Sequence, residues 1–250
     1  MDIKAVKPKI SYLSLIVITV FFIFTETISA SVVNNPFYHR IVNGKTNRDV
    51  IVIERIMEKE SPYFYSKLSI PVLHSITENE LFKQLNKMFY DGITFFSHEI
   101  ESLSETHLEE LLETRDFIPR YDVIVGFEVP FNAGGLLSIK VYFYQYTGGA
   151  HGFSFIETVN LDLTTGRSIE FNDLFDSAQA RKFLIDTIQT AINQDPFNYF
   201  ITEVDESILS RIQSFYITEG KIVVYFDLYE IAPYSTGIPE FSLDLTKLIE

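Results

Sequence analysis

Two strand patterns joined by a turn pattern occupy residues 121 to 146, YDVIVGFEVPFNAGGLLSIKVYFYQY. They are the main sequence indication of the fold class. Apolar side chains occupy every second position from Tyr121 to Val129, which is the period of a strand with one buried face. NAGG, residues 132 to 135, then offers the glycines of a tight turn, and the alternation resumes in LLSIKVYFYQY. The stretch therefore predicts two consecutive antiparallel strands.

Further strand patterns lie on both sides of this stretch. After Gly152 the chain returns in a third strand, and TTGR, residues 164 to 167, turns it into SIEF, so a meander is expected. The other predicted strands are residues 50 to 56 and 63 to 73 before the stretch, and residues 214 to 217 and 221 to 230 after it.

A long amphipathic helix is predicted before the stretch. Thr77 and Glu80 form a capping box, so the helix is expected to begin at Glu78, with a break near Gly92 or Ser104. Its apolar residues recur at three- and four-residue spacing on one face. They are Leu81, Leu85, Met88, Phe89, Ile93, Phe96, Ile100 and Leu103.

A shorter helix is predicted after the meander. Asp176 or Ser177 caps it, and it must end by Asp195 because Pro196 follows. Its buried face is expected to contain Leu184, Ile188 and Ile192.

These patterns predict an α+β fold, an antiparallel sheet meander with one long amphipathic helix and a second shorter helix. No internal repeat divides residues 50 to 250. The expected organisation is a signal peptide or uncleaved anchor over residues 1 to 30, a tether over 31 to 49, an N-terminal α+β subdomain over 50 to 120 and a C-terminal α+β subdomain over 121 to 250.

The first thirty residues have the layout of a signal peptide. Three lysines precede an apolar run from Ile10 to Phe24, and small residues follow it. The run has fifteen residues, fewer than the roughly 20 that span a bilayer, so cleavage near Ala30 is expected and a permanent anchor is the alternative. We therefore expect a secreted or extracytoplasmic protein of the cell envelope, attached to a membrane only if this segment is uncleaved.

The chain is strongly acidic, with 20 Lys and Arg against 34 Asp and Glu and a formal net charge of -14. This balance argues against nucleic-acid binding, which needs cationic side chains to neutralise phosphates. It favours encounter with a basic partner, although solubility alone would also explain it. There are no cysteines, which excludes disulfides and thiolate chemistry and leans towards a bacterial exported protein.

None of the common catalytic motifs occurs in the sequence. No two of the five histidines stand one helical turn apart around a glutamate, and no Gly-x-Ser-x-Gly is present. The glycines of GGAHG, residues 148 to 152, lack the lysine and the following helix of a phosphate cradle. We therefore expect no catalytic residue, no metal site and no cofactor.

Two glutamates near the C-terminus support an alternative function. Glu230 and Glu240 lie in an aromatic, proline-bearing tail, where Tyr229 and Tyr234 are able to stack on sugars. The alternative is an envelope carbohydrate-active hydrolase that uses these acids. The competing interpretation, surface or loop-bonding acids, is favoured because acidic residues are so numerous.

His151 allows two interpretations. After a double glycine, its ring is able to face a ligand, because glycine lets the backbone approach a bound group closely. The same glycines would permit a bulge or a positive-φ turn, with the histidine hydrogen-bonding loop carbonyls. The structural interpretation is the favoured one.

Three segments, in this order, resemble a known family. They are YTGGAHG (residues 146 to 152), NLDLTTGRSIEFNDLF (160 to 175) and ITEGKIVVYFDLYEIAPYSTGIPEF (217 to 241). Their order and spacing resemble the extracytoplasmic domain shared by RsiV-like anti-sigma factors and the N-terminal region of PdaC-like peptidoglycan deacetylases. The resemblance covers roughly residues 50 to 248.

The resemblance implies an α+β domain in an exported bacterial envelope protein. In RsiV-like members this domain is a receptor that binds lysozyme. Because only nine residues precede the apolar run and the chain ends after the last motif, neither sigma-factor inhibition nor deacetylation is expected. The expected function is non-catalytic recognition of a basic protein such as lysozyme, or of cell-wall glycan. The candidate ligand-binding residues are Tyr146, Gly148, Gly149, His151, Tyr229, Glu230 and Tyr234.

Overall fold

The computed structural model describes residues 35–44, 50–74, 79–114, 118–209, 212 and 214–249. The predicted α+β class is confirmed over these residues, which fall into two compact units that interleave along the chain. The first unit contains Ile53–Val125 and Tyr144–Gly152, and the second contains the described residues up to Val52, Gly126–Phe143 and Phe153–Glu250. The predicted signal segment lies outside the described residues.

The bounds of the elements are as follows. The helices are α1 (Pro36–Asn43), α2 (Glu80–Thr114), α3 (Phe171–Leu174), α4 (Ala178–Gln194), α5 (Glu206–Leu209) and α6 (Thr246–Ile249). The strands are β1 (Ile51–Glu60), β2 (Phe64–His74), β3 (Tyr121–Ala133), β4 (Leu136–Tyr146), β5 (Phe153–Asp162), β6 (Arg167–Ser168), β7 (Phe215–Thr218), β8 (Lys221–Tyr225) and β9 (Glu240–Asp244). Short 3-10 turns cover Pro196–Asn198 and Tyr234–Thr236. None of the helices in the described ranges combines the length and apolar character needed to cross a membrane.

The sheet of the first unit has the order β1-β2-β3. β2 and β3 are parallel, with Phe64 opposite Tyr121 and Leu68 opposite Val125. This pair departs from the all-antiparallel meander expected from the sequence. The reason is the long helix α2 between the two strands, because parallel neighbours need a crossover connection of this kind.

Helix α2 is continuous over 35 residues, so the predicted break near Gly92 or Ser104 is wrong. A glycine in a helix interior costs only about 1 kcal/mol, and the apolar face of α2 offsets this cost by packing on β2. The Ser104 hydroxyl is buried and donates to the Glu101 carbonyl at 2.7 Å, which satisfies it within the helix.

The start of α2 also differs from the prediction. The helix begins at Glu80, and the Asn79 side chain accepts a hydrogen bond from the Phe82 N–H at 3.2 Å. Asn79 is therefore the capping residue, a role that its short polar side chain favours. The predicted capping residue Thr77 lies outside the described residues.

The second unit contains two antiparallel arrangements. The remaining part of β3 continues through β4 and β5 to β6, and β7-β8-β9 form a separate sheet. The predicted turn in NAGG is formed by Gly134 and Gly135 at φ 61° and 72°, a region that glycine enters without strain. The predicted cap and end of the second helix are confirmed, since Ser177 Oγ accepts from the Ala180 N–H at 3.1 Å and α4 ends at Gln194.

Strand β8 is shorter than predicted. It ends at Tyr225 instead of Glu230, and the Glu230 N–H donates to the Asp227 carbonyl at 3.1 Å. The hydrophobic pattern continues past Tyr225, but the main chain turns there.

Helix α1 forms inside the segment predicted to be a tether. Asn35 caps it by accepting from the Phe37 N–H at 3.0 Å, and Pro36 occupies the first turn, where a missing N–H costs nothing. Tyr38 and Ile41 are fully buried in the core of the second unit. The prediction missed this helix because only four of its eight residues are apolar.

Arg40 fixes α1 to the β3–β4 turn and to β5. Its guanidinium donates to the carbonyls of Gly134 and Gly135 and to Asp162 Oδ1 at 2.7 Å. Burial raises the pKa of Asp162, but the hydrogen bonds from Arg40 and from the Thr164 N–H outweigh it, and the pKa falls to about 2. The ionised carboxylate of Asp162 therefore stabilises the folded state.

Replacement of Arg40 by alanine is expected to lower the free energy of unfolding at pH 7 by about 1–2 kcal/mol. The pKa of Asp162 is lower in the folded chain than in the unfolded chain, so its ionised carboxylate stabilises the fold at pH values above the pKa of the unfolded state. This contribution decreases as the pH falls towards about 2. Urea unfolding should therefore show a smaller difference between wild type and Arg40→Ala at pH 3 than at pH 7. The control is Arg167→Ala, which breaks the more exposed pair with Asp173 and should cost less than about 1 kcal/mol.

Candidate functional site

The turn after β8 holds an unusual backbone conformation. Tyr229 has φ 66° and is the one non-glycine residue with positive φ in the described ranges. Its side chain is 47% exposed, so burial of its ring does not account for the strain. The turn is fixed by Glu230, whose Oε2 accepts from the Asp227 N–H at 3.1 Å. Strain of this kind costs about 1–3 kcal/mol and clusters at ligand-binding positions.

A second segment of the same unit adjoins this turn. The Phe200 N–H donates to the Ile231 carbonyl at 2.8 Å, and Thr236 Oγ1 donates to the Asn198 carbonyl at 3.3 Å. These bonds join the segment after α4 to the loop between β8 and β9.

Together the two segments carry three exposed aromatic residues, Phe197, Phe200 and Tyr229, and the half-buried Tyr234. Phe197 is 97% exposed and Phe200 61% exposed. The rings of Tyr229 and Tyr234 lie 5.8 Å apart between centroids. We call these four residues the aromatic surface. Large exposed aromatic side chains grouped in this way are typical of binding sites.

The segments that carry the aromatic surface are acidic. Residues 183 to 210 and 222 to 246 contain no lysine or arginine. Asp195, Glu203 and Asp227 are exposed within them, and Glu230 lies beside Tyr229. The local potential therefore favours a cationic partner.

Glu240, one of the two acids in the hydrolase alternative, is engaged in an ion pair. Its Oε1 accepts from Lys140 Nζ at 2.6 Å, and its Oε2 accepts from the Tyr216 hydroxyl at 3.0 Å. Lys140 is almost fully buried, with its ammonium 4.8 Å and 4.4 Å from the ring centroids of Tyr142 and Tyr216. We call these four residues the lysine box.

The tyrosines of the lysine box are held neutral. Burial raises the pKa of Tyr216, and the nearby Glu240 carboxylate raises it further. Burial also raises the pKa of Tyr142, whose hydroxyl donates to Glu128 Oε2 at 2.6 Å. Both hydroxyls therefore serve as hydrogen-bond donors to carboxylates, and the box links β4 to β7 and β9. This arrangement gives Glu240 a structural role.

The candidate residues around His151 belong to the first unit. The ring of His151 donates from Nδ1 to the Gly152 carbonyl at 2.8 Å, a geometry that fits the loop-holding interpretation. Gly148 has φ 84°, and a Cβ there would lie 2.4 Å from Pro119 Cγ. A Cβ at Gly152 would lie 2.2 Å from the ring of Tyr144. The positive φ and the contact with Pro119 therefore favour glycine at position 148, whereas a side chain at position 152 would require the Tyr144 ring to move.

The remaining candidates of this segment are less constrained. Tyr146 is the last residue of β4 and is half-buried, and Gly149 is exposed with room around it. The predicted ligand-binding residues thus divide between the units, with Tyr229, Glu230 and Tyr234 in the second.

The sequence did not point to Phe197 and Phe200, nor to the grouping of Lys140, Tyr142 and Tyr216 around Glu240 in the lysine box. The signal for the two phenylalanines is PFNYF, residues 196 to 200, in which aromatic side chains follow the end of a helix in a polar context. For Lys140 the sequence indication is a charged residue in the middle of a predicted strand, with apolar or aromatic residues on both sides of it. Among the described residues, no group of three His, Cys, Asp or Glu is arranged to hold a metal ion.

The described residues therefore form a mixed α+β fold with an exposed surface that is aromatic and acidic. Residues 57–154 match the family described as Deacetylase PdaC, and residues 172–246 match the family described as Protein of unknown function (DUF3298). These matches and the relative described below support the resemblance to RsiV-like and PdaC-like proteins that the sequence motifs predicted.

Similar proteins include one curated relative and two crystal structures. The anti-sigma-V factor RsiV of Bacillus subtilis is 25% identical over 212 residues, which cover 81% of this chain and 70% of that protein. A DUF3298 family member from Bacteroides fragilis has a TM-score of 0.64 at 16% identity, covering 82% of this chain and 94% of that one, and shows the same fold. A DUF3298 family protein from Pseudomonas aeruginosa has a TM-score of 0.48 at 17% identity, covering 80% and 91%.

Proposed function

We propose that this chain is an exported cell-envelope protein with a non-catalytic recognition domain, and that it binds a basic protein such as lysozyme through the aromatic surface. The observation that carries the proposal is the exposure of Phe197 and Phe200 beside the strained Tyr229. A few anchor residues supply most of the binding energy in protein interfaces, and aromatic side chains are enriched in interface cores.

Charge supports the same partner class. The aromatic surface lies on segments without lysine or arginine, in a chain with a formal net charge of -14. A basic protein would be steered to this face, and its rate of association would fall as salt rises. The similarity to an anti-sigma factor also favours a protein partner.

Cell-wall glycan is the other ligand class within the proposal. Tyr229 and Tyr234 are able to stack on sugar rings. The hydrolase alternative receives less support, because Glu240 is committed to Lys140 and Tyr216 and the Glu230 side chain caps its own turn.

Calorimetric titration of the purified protein separates these ligands. We expect heat on addition of a c-type lysozyme, with an affinity that decreases at least several-fold between low and high salt. Heat with muropeptides but not with lysozyme would identify cell-wall glycan as the ligand. No heat with either ligand would contradict the proposed function.

Export is tested separately, because it rests on the N-terminal sequence. Expression of the full chain in a bacterial host should yield an extracytoplasmic product shortened by about the predicted signal segment. A product of full length that stays in the cytoplasm would contradict export. The proposed binding of a partner would still be tested by the calorimetric titration.

A further inference from the structure

Strand β1 lies at the edge of the sheet of the first unit. It ends the strand order and has β2 as its neighbour among the described residues. Seven of the eight residues from Ile53 to Glu60 are exposed, including Ile53 at 49% and Ile56 at 56%. The strand contains no proline. A long exposed edge without proline presents backbone donors and acceptors to which another strand can pair, and the charged side chains on such an edge restrict which strands do so.

The charges of β1 are sorted by face. Residues at alternate positions of a strand share a face, so Glu54, Glu58 and Glu60 lie on one side and Arg55 and Lys59 on the other. One side of β1 therefore carries three glutamates and the other carries two cations. The first unit supplies two cations to the glutamate side, because Arg120 Nη1 lies 3.4 Å from Glu60 Oε1 and Lys67 of β2 shares this face, so three carboxylates face two cations there.

Contacts within the first unit fix this sorting. On the basic side, the Arg55 guanidinium lies 4.8 Å from the ring centroid of Tyr90, and Lys59 Nζ lies 2.6 Å from Glu101 Oε1, both on α2. On the acidic side, Glu58 Oε1 accepts from the Tyr65 hydroxyl of β2 at 2.8 Å. These side chains are thus held against the unit, and among the described residues no strand pairs with the outer backbone edge of β1.

A second copy of this chain gains no ion pair at this edge. Antiparallel pairing of β1 with itself around a two-fold axis keeps each face on its own side, so residues opposite each other belong to the same face. Depending on the register, a glutamate would lie opposite a glutamate or an uncharged residue such as Ile56, and never opposite Arg55 or Lys59. Because like charges directly opposite each other are destabilising and no attractive pair forms, the pattern does not favour self-association.

We propose that β1 is a docking edge for an extended segment of a partner protein in which lysine or arginine occupies alternate positions. Backbone hydrogen bonds to the edge would supply affinity, and the cationic side chains would lie beside Glu54, Glu58 and Glu60. Uncharged residues at the intervening positions avoid the repulsion of Arg55 and Lys59. This interaction is separate from recognition through the aromatic surface, which belongs to the other unit.

The probe is a short labelled peptide in which lysine alternates with threonine and valine, titrated with the full chain and followed by fluorescence anisotropy. Two control peptides have the same charge. In one, proline replaces the valines and removes backbone donors; in the other, the lysines are contiguous. We expect saturable binding of the alternating peptide and at least about tenfold weaker binding of both controls.

The matched variants are Glu54→Lys/Glu58→Lys on β1 and Glu203→Lys/Glu219→Lys on exposed positions of the second unit, which change the net charge equally. The first should weaken binding about tenfold or more, because two attractive cross-strand pairs become repulsive, and the second should change it little. Glu54→Gln/Glu58→Gln, which keeps acceptor oxygens for Ser69 and Tyr65, should give a smaller loss in the same direction.

Several results would overturn the proposal. Equal binding of the proline peptide would show that charge alone is responsible, and equal binding of the contiguous-lysine peptide would remove the role of alternation. Equal loss of peptide affinity in both double-lysine variants would show that the net charge of the chain, and not β1, is responsible. A dimer paired through β1 would show that a second copy occupies the edge. Phe197→Ala/Phe200→Ala should leave peptide binding unchanged, so the result is independent of the proposed lysozyme recognition.

Discussion

Replacement of Glu240 by glutamine is expected to lower the free energy of unfolding by about 2–3 kcal/mol. The change removes the counter-ion of Lys140, whose side chain is only 6% exposed. A buried ammonium without a carboxylate must remain uncompensated or lose its proton, and both outcomes cost stability. The loss should be smaller than for a fully buried pair, because the Glu240 side chain is 35% exposed and the two tyrosine rings still face the ammonium.

The matched control is Glu128→Gln, which changes the neighbouring carboxylate that accepts from Tyr142. Glu128 is exposed, so this change should cost less than about 1 kcal/mol. Adding Lys140→Met to Glu240→Gln should recover most of the loss, because the buried charge is then removed together with its need for a partner. Urea unfolding of the four proteins measures these differences. Equal losses for Glu240→Gln and Glu128→Gln would contradict the structural role of the lysine box.

The Phe197→Ala/Phe200→Ala variant should bind the partner about a thousandfold more weakly, because two interface anchors of about 2 kcal/mol each contribute about 4 kcal/mol together. Its free energy of unfolding should change little, because both rings are exposed. Calorimetric titration with lysozyme measures the first effect and urea unfolding the second.

The control for this variant is Leu112→Ala, which removes an apolar side chain of similar exposure from α2. It should leave lysozyme affinity unchanged. If both variants reduced the affinity alike, or if neither did, the aromatic surface would not be the binding face.

The elements of this fold with strong local signals were predictable from the sequence. The alternation beginning at Tyr121 predicted β3 and β4, and the Ser177 cap with Pro196 bounded α4 closely. These features depend on neighbouring residues, so a single sequence contains them. The parallel pairing of β2 with β3 was not predictable in this way, because it depends on contacts between strands separated by α2.

The candidate site was predictable only in part. The tail containing Tyr229 and Tyr234 has an aromatic composition that indicates a binding role, but the hydrogen bond from Phe200 to Ile231 joins residues that are distant in the chain. Glu240 has the same sequence signature as a catalytic acid, and only the structure places it against Lys140. Burial and partner identity are three-dimensional properties that composition does not contain.

Amide hydrogen exchange in the presence of saturating lysozyme reports both whether lysozyme binds and which segments it covers. We expect slower exchange at amides of residues 197 to 202 and 227 to 237, with little change along α2. Unchanged exchange in these two segments would contradict recognition through the aromatic surface.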